Sequence, residues 1–338
     1  MFFRQKRESQ IYKGKQIMKA IVRYNYGSPD VIQLIEAEKP TPKENQVLIK
    51  IHAASINSYD WRFLRAVPFL VRTDGGLLKP KDIRLGADIA GTVEAVGKDI
   101  TEFKPGDEVY GEVGAGGYAE YVCTKEKNLA LKPANVSFEI AAATPMAALT
   151  SLQGLRDKGK IQSGQKVLVN GASGGVGTFA VMIAKYYGAE VTAVCRTRNL
   201  DMVRSLGADH VVDYTKNDFS QSGQRYDLIF DVAASQSVFA YKRVLAPKGK
   251  YVMAGFSTMP HLIHILLLGP RLAKAGQEIG MMPVASTNSA DLAFIGGLLE
   301  SHKLIPFIDG VYPLSETAQA FRYYEKEHAQ GKIVIKMV

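Results

Sequence analysis

Between residue 18 and about 140, apolar and polar positions alternate over short stretches that glycine and proline interrupt. The stretch 47–51 mixes apolar residues with a polar one as a strand does, 91–96 runs into Gly97, and Lys104-Pro105-Gly106-Asp107 is turn chemistry before the pattern resumes at 108–110. Residues 19–23 and 118–122 read the same way, so this half predicts a curled antiparallel or barrel-like domain of short strands. Past about Pro145 the period changes. Apolar runs at 166–170, 190–194, 210–213, 227–231 and 250–254 read as buried strands, and 176–187 and 199–206 between them carry helical spacing. Strands alternating with helices imply βαβ units on a parallel sheet. From roughly 290 a helix, a short strand at 310–312, a helix at 315–327 and a closing strand at 332–337 return to the first style. The prediction is an α/β chain in which a nucleotide-type parallel-sheet domain (146–288) is inserted in a split, mostly β domain (18–145 and 289–338) behind a tail (1–17).

The composition adds bounds. A length of 338 residues suits two domains, and 46% hydrophobic residues suffice for a sizeable core. The formal net charge of +9 invites a nucleic-acid reading, but the basic residues are interspersed with acids and form no long stripe with aromatics. A basic, solvated surface is the reading, with no nucleic-acid partner. The densest basic run (Arg4, Lys6, Arg7, Lys13, Lys15, Lys19) falls at the tail, which lacks the apolar core of a secretory signal. The apolar run from Leu262 to Leu268 is too short to span a bilayer, so no membrane span is expected and the cytoplasm is the expected location. Two distant cysteines, Cys123 and Cys195, fit a reducing compartment and exclude a disulfide scaffold.

The strongest local signal is Gly171-Ala172-Ser173-Gly174-Gly175-Val176-Gly177, placed after an expected strand and before an expected helix. Glycines there permit a tight turn, close approach of backbone to a pyrophosphate and close packing of helix on sheet. The helix N-terminus then offers N–H groups and a favourable dipole to phosphate. A site preferring NADH places an acid about 20 residues on, to hold the ribose hydroxyls. This chain has Arg196 and Arg198 there and no acid before Asp201, which favours the 2′-phosphate of NADPH.

Two other motifs compete. Gly171-Ala172-Ser173-Gly174-Gly175 also satisfies the Gly-x-Ser-x-Gly elbow of hydrolases, for which His302 or His328 would have to serve. That reading explains neither Gly177 nor the arginines. Tyr121 and Lys125 match a Tyr-x-x-x-Lys pair, but Tyr121 falls in an expected strand, where the two cannot share a helix face.

Over residues 18–338 the sequence resembles the medium-chain dehydrogenase/reductase superfamily. The matching stretches are Leu85-Gly86-Ala87-Asp88-Ile89-Ala90-Gly91, Phe103-Lys104-Pro105-Gly106-Asp107-Glu108-Val109, the glycine loop, Leu206-Gly207-Ala208-Asp209 and Gly331-Lys332-Ile333-Val334, in that order. The resemblance implies a Rossmann-type sheet inserted in a barrel-like, GroES-like catalytic domain. Zinc alcohol dehydrogenases of this superfamily place a Cys where this chain has Asn57, a His-Glu pair where it has Ala87-Asp88, and a further Cys near Ala147. A catalytic zinc needs about three protein ligands, so no metal is expected. His261 and His264 stand one helical turn apart without an evident third ligand, and a packing or surface role is expected of them.

Asn57-Ser58-Tyr59-Asp60 resembles the Asn-x-x-Asp signature of the zinc-free quinone oxidoreductase branch, whose members use NADPH to reduce quinones or the carbon–carbon double bond of enones and enals. Such substrates delocalise developing charge, so hydrogen-bond donors can replace a Lewis acid. By this resemblance Asn57 and Tyr59 line the nicotinamide pocket with Tyr59 as donor to the substrate oxygen, and Asp60 is a structural partner. Thr150, Ser173, Gly174, Gly175, Val176 and Gly255 contact the cofactor, Arg196 and Arg198 take the 2′-phosphate, and Tyr214 lies by the adenosine. The expected assembly is a homodimer through edge strands of the cofactor domains. The alternatives are a zinc-free dehydrogenase of another carbonyl or alcohol and an NADPH-binding sensor with little turnover.

Overall fold

The computed structural model describes residues 16–256, 258–274, 276–327 and 329–337. The basic run from Arg4 to Lys15 and His328 lie outside the described residues, and with them the expectations placed on the tail.

Fifteen strands are named here in chain order. The first seven are β1 (Ile17–Arg23), β2 (Ile32–Glu38), β3 (Val47–Ile56), β4 (Asp88–Val96), β5 (Glu108–Glu112), β6 (Tyr121–Thr124) and β7 (Leu129–Leu131). Then come β8 (Lys166–Asn170), β9 (Glu190–Cys195), β10 (His210–Asp213), β11 (Tyr226–Asp231), β12 (Leu245–Met253) and β13 (Glu278–Met281). The chain closes with β14 (Ile308–Pro313) and β15 (Lys332–Lys336). One sheet runs β14-β15-β3-β4-β5-β7, with β6 also on β3, and so mixes strands from before and after the parallel sheet. The parallel sheet runs β10-β9-β8-β11-β12-β13. The fold is therefore a Rossmann-type sheet inserted in a GroES-like, mostly β unit, as the change of period implied. Because the order reverses between β8 and β11, the crevice at the end of β8 is the switch point where ligands of such sheets bind.

The helix Gly175–Tyr186 buries Phe179, Ala180, Val181, Ile183 and Ala184 completely. A helix apolar all round must be covered on every side, here by the sheet and by the helix Pro145–Leu152. The second core, under β3, β4 and β15, gathers Ile49, Val109, Leu64, Phe321 and Ile335. Each such side chain contributes about 1.5–3 kcal/mol on burial.

The structure departs from the sequence pattern in identifiable places. β1 starts at Ile17 and pairs with β2, whose half-exposed residues gave little signal. The expected strand at 118–122 begins only at Tyr121, because the Tyr118 carbonyl accepts the Ile21 N–H at 2.8 Å and Ala119 bridges Ala20. The 262–268 run belongs to a helix, Met259–Leu272, that ends one turn past Gly269 and packs on the unforeseen β13.

Candidate functional site

The glycine loop leaves β8 through Gly171, which takes φ +81°, a conformation that favours glycine. A Cβ on Gly177 would meet the Gly171 carbonyl oxygen at 2.1 Å, so this glycine seats the helix on the turn. Gly174 caps the helix with no side-chain hydrogen bond, and a Cβ placed there would meet nothing nearer than the Gly171 oxygen at 3.7 Å. An uncapped helix N-terminus behind an open glycine cradle fits a pyrophosphate. Ser173 is held from the side: its Oγ accepts the Asn199 Nδ2–H at 2.8 Å, while Asn199 Oδ1 is buried with no partner among the described residues. Among the described residues no histidine is bonded to Ser173, His302 included, and His328 lies outside them. The Ser151 hydroxyl lies 2.8 Å from the Val176 carbonyl oxygen and ties the loop to the helix Pro145–Leu152. Thr150, one residue earlier, donates instead to its own helix at Met146 O, 2.7 Å away.

At the end of β9, Arg196 Nε donates to the Tyr214 hydroxyl at 3.1 Å, which brings two expected residues together. Arg198 sits two residues on, in the turn Thr197–Asn199. Asp213 ends β10 nearby, with its carboxylate accepting from the Thr197 and Thr215 hydroxyls; the Thr197 bond leads in holding it below the usual carboxylate range. Gly255 has a local cause: a Cβ there would stand 2.4 Å from the Val232 carbonyl oxygen.

The other wall of the crevice is built from buried charge. Asn57 follows β3 and caps the helix Ser58–Arg65; its backbone N–H donates to Asp60 Oδ2 at 2.9 Å, and Asp60 Oδ1 accepts from Gly86 N at 3.2 Å. Both polar atoms of the Asn57 side chain are bonded. Nδ2 donates to Asp88 Oδ2 at 2.9 Å, and Oδ1 accepts from Lys332 Nζ. Asp88 also accepts the Met146 N–H at 3.1 Å and lies 3.6 Å from Lys332 Nζ. Lys332 is 2% exposed and Asp88 is fully buried. Lys332 follows Gly331, whose N–H donates to the Ser173 carbonyl at 2.9 Å, and its Cδ is the atom a Cβ on Gly175 would meet at 3.2 Å. One lysine therefore touches the glycine loop with its stem and the Asn57–Asp88 pair with its head.

Family models for the alcohol dehydrogenase GroES-like domain and for zinc-binding dehydrogenase match residues 43–134 and 206–335 respectively. The 2-methylene-furan-3-one reductase of Solanum lycopersicum is 36% identical over 332 residues, covering 94% of this chain and 79% of that protein. The chain belongs to the medium-chain dehydrogenase/reductase superfamily. Membership places it among oxidoreductases of the medium-chain type. The NADPH-dependent alkenal/one oxidoreductase of Arabidopsis thaliana is also 36% identical, over 94% of this chain and 79% of its own. The solved quinone oxidoreductase from Coxiella burnetii superimposes with a TM-score of 0.84 at 30% identity, over 96% of this chain and all of that one.

Within this medium-chain fold, burial first and then the Asp60 and Glu112 charges push the Tyr59 hydroxyl up to about 12. It stays a hydrogen-bond donor across neutral pH, on a ring packed 4.4 Å from that of Phe63 and left 37% exposed. Burial likewise lifts Asp60 and Glu112 to about 7 each, raises Asp88 and lowers Lys332. Three neighbours of the site were not singled out from sequence. Lys332 and Asp88 stood inside matched motifs without a role, and Arg62 joins the walls by donating to Phe256 O at 2.8 Å. Their signal was spacing in three dimensions, which no local pattern carries. His261 bonds Thr258 at 2.8 Å, and no group of His, Cys, Asp or Glu able to hold a metal occurs among the described residues. No helix among them is long and apolar enough to cross a membrane.

Proposed function

We propose that this chain is a zinc-free, NADPH-dependent reductase of quinones or α,β-unsaturated carbonyl compounds. The observation that carries the reading is the donor set at the crevice. Where zinc enzymes of the superfamily hold metal ligands, Asn57 and Asp88 bond to each other and to a buried ammonium, Lys332. That set offers one carboxylate and one amide already occupied by a cation, a poor match to the N and S ligands zinc takes. Bound NADPH would supply the hydride to the substrate carbon.

The chain's own residues do the rest. Ser173, Gly174, Gly175 and Val176 hold the pyrophosphate through backbone N–H groups, and Arg196 with Arg198 grips the 2′-phosphate beside Tyr214. Tyr59 keeps its proton and donates it in a hydrogen bond to the quinone or enone oxygen, where negative charge develops, and solvent supplies the proton that completes the reduction. Asn57 lines the nicotinamide pocket, and through its bonds to Asp88 and Lys332 and the Asp60 cap it positions Lys332 and the helix that carries Tyr59. Thr150 and Gly255 shape the nicotinamide wall. Functionally the chain divides into a tail (1–17), a catalytic domain (18–145 and 289–338) and a cofactor domain (146–288), with a homodimer forming along the edge strand β13 and residence in the cytoplasm.

Support comes from two relatives whose names state an alkenal/one and a quinone activity. The test is oxidation of NADPH and, separately, NADH at 340 nm with a benzoquinone, a naphthoquinone, an enone, an aldehyde or no acceptor. Chelator-insensitive oxidation of NADPH by quinone or enone is the expected result. Tight NADPH binding with no turnover of any acceptor moves the reading to a sensor, and stoichiometric zinc in the purified protein overturns the metal-free one.

A further inference from the structure

Tyr59 forms one wall of a cavity of about 190 Å³ whose other walls include Arg23, Asp60, Phe63, Asp82 and Gly86. Arg23 ends β1 and is only 2% exposed. Its Nε and Nη1 have no acceptor among the described residues and are themselves closed to solvent, so a partner can reach this side chain only through the part of it that lines the cavity. Its guanidinium carbon stands 5.6 Å from the centroid of the Tyr26 ring, and that of Arg72, whose Nε is likewise without an acceptor, stands 5.0 Å from the same centroid. Two guanidiniums thus share one aromatic ring, and among the described residues no carboxylate is bonded to either. A guanidinium keeps its charge at any ordinary pH. Burying it without acceptors forfeits the hydrogen bonds that compensate a desolvated charge.

The acids of the cavity do not fill this gap. Arg84 takes both oxygens of Asp82, at 2.9 and 2.7 Å. Asp60 spends its oxygens on the backbone N–H groups of Asn57 and Gly86, and with burial lifting it to about 7 it carries only part of a charge near neutrality. The remaining charged residues of the wall, Asp74 and Lys81, are exposed and of opposite sign. The cations of the lining are therefore under-compensated at one place, the guanidinium at the buried end.

We propose that this cavity is an anion subsite continuous with the substrate pocket, in which Arg23 receives the carboxylate of an enone or quinone that carries one. The inference rests on the enone or quinone reading of Tyr59 and sharpens it. Tyr59 holds the reacting oxygen and Arg23 holds the acid of the same molecule, so the preferred substrates are acids long enough to span the two. A carboxylate accepts a charge-assisted N–H···O bond from a guanidinium, which a methyl ester cannot match.

The experiment uses the full chain with NADPH and a series of vinyl ketones ending in a carboxylic acid, each paired with its methyl ester. For the best chain length, kcat/KM for the acid exceeds that for the ester by about 10–100-fold, the range of one charge-assisted contact. Arg23→Met brings that ratio close to one, and Arg23→Lys keeps part of it. In a second arm without NADPH, the corresponding saturated keto acid raises the Tm of the wild type more than its ester does, and the difference disappears in R23M. Equal turnover of acid and ester by the wild type overturns the subsite, and so does a ratio that R23M leaves unchanged. Inorganic phosphate raising Tm as much as the acid, with acid and ester turned over alike, overturns the substrate assignment in favour of a free anion. Absence of turnover with the acid-specific Tm shift intact keeps the subsite and overturns the reductase reading; absence of both overturns both. Should R23M fail to fold, the wild-type ratio and the Arg23→Lys variant decide.

Discussion

The two walls of the crevice are made in different ways. On the side of the parallel sheet the wall is made of backbone N–H groups and glycines, set by seven consecutive residues from Gly171 to Gly177, and the nearby arginines stand on the surface. On the other side it is made of buried side chains from three distant points of the chain, Asn57, Asp88 and Lys332, bonded to one another in the interior. A backbone site tolerates changes of side chain but not added volume. A buried charge cluster tolerates neither loss nor solitude of its members, because a lone charge left in low dielectric is costly.

That contrast can be broken most directly at Lys332. Lys332→Met leaves Asp88 as an uncompensated buried acid; it is expected to cost about 3–5 kcal/mol of folding stability and to cut kcat/KM by about 10²–10³-fold, the range for loss of one fixed electrostatic group. Denaturant unfolding and NADPH oxidation check the two effects. Adding Asp88→Asn should recover part of the stability but little of the rate; a double variant as unstable as K332M refutes the charge argument. Next, Gly177→Ala places a Cβ 2.1 Å from the Gly171 oxygen and should cost about 1–3 kcal/mol from overpacking. Gly174→Ala, with open space around its Cβ, should fold normally and weaken NADPH binding measured by fluorescence titration.

Smaller effects refine the picture. Tyr59→Phe is expected to lower kcat about 10–100-fold through loss of one donor to developing charge, with the unfolding midpoint little changed. Arg196→Ala should weaken NADPH about tenfold while sparing NADH, as loss of one charged contact to phosphate does; equal weakening of both removes Arg196 from the 2′-phosphate. The least effect is in pH dependence. Glu112 rises from its ordinary 4.5 to about 7, chiefly by burial, and accepts the Thr287 hydroxyl at 2.9 Å. The folded protein thus binds its proton more tightly than the unfolded chain, so stability from this group declines as pH climbs from about 4.5 towards 7. Glu112→Gln should flatten that part of a stability profile measured by urea unfolding.

The same contrast explains what the sequence made legible. The glycine loop, the alternation of strands and helices from 166 to 254 and the return of β chemistry near 310 are local patterns, and each lies where the pattern implied. The positions of Asn57 and Tyr59 came from a four-residue signature, but the engagement of both Asn57 polar atoms could not, since the partners lie 31 and 275 residues away. Lys332 was the hardest to read. In Lys332-Ile333-Val334-Ile335-Lys336 a polar residue at a strand start suggests solvent, yet Lys332 is 2% exposed while Lys336 at the other end is exposed. Gly255 was read from the sequence as a cofactor contact, whereas the crowding Val232 carbonyl, which no local pattern carries, is a structural reason for a glycine there.

The link between Gly331 and Ser173 has a mechanical side. A backbone bond of 2.9 Å and a parallel bridge between Gly331 and Gly174 stitch the last strand of one sheet to the phosphate turn of the other. The seam is a clasp at one end of the crevice, and Arg62, bonded to Phe256 O from the helix that carries Tyr59, is a second clasp at the other, so the two units are fastened on both sides of the cleft between them.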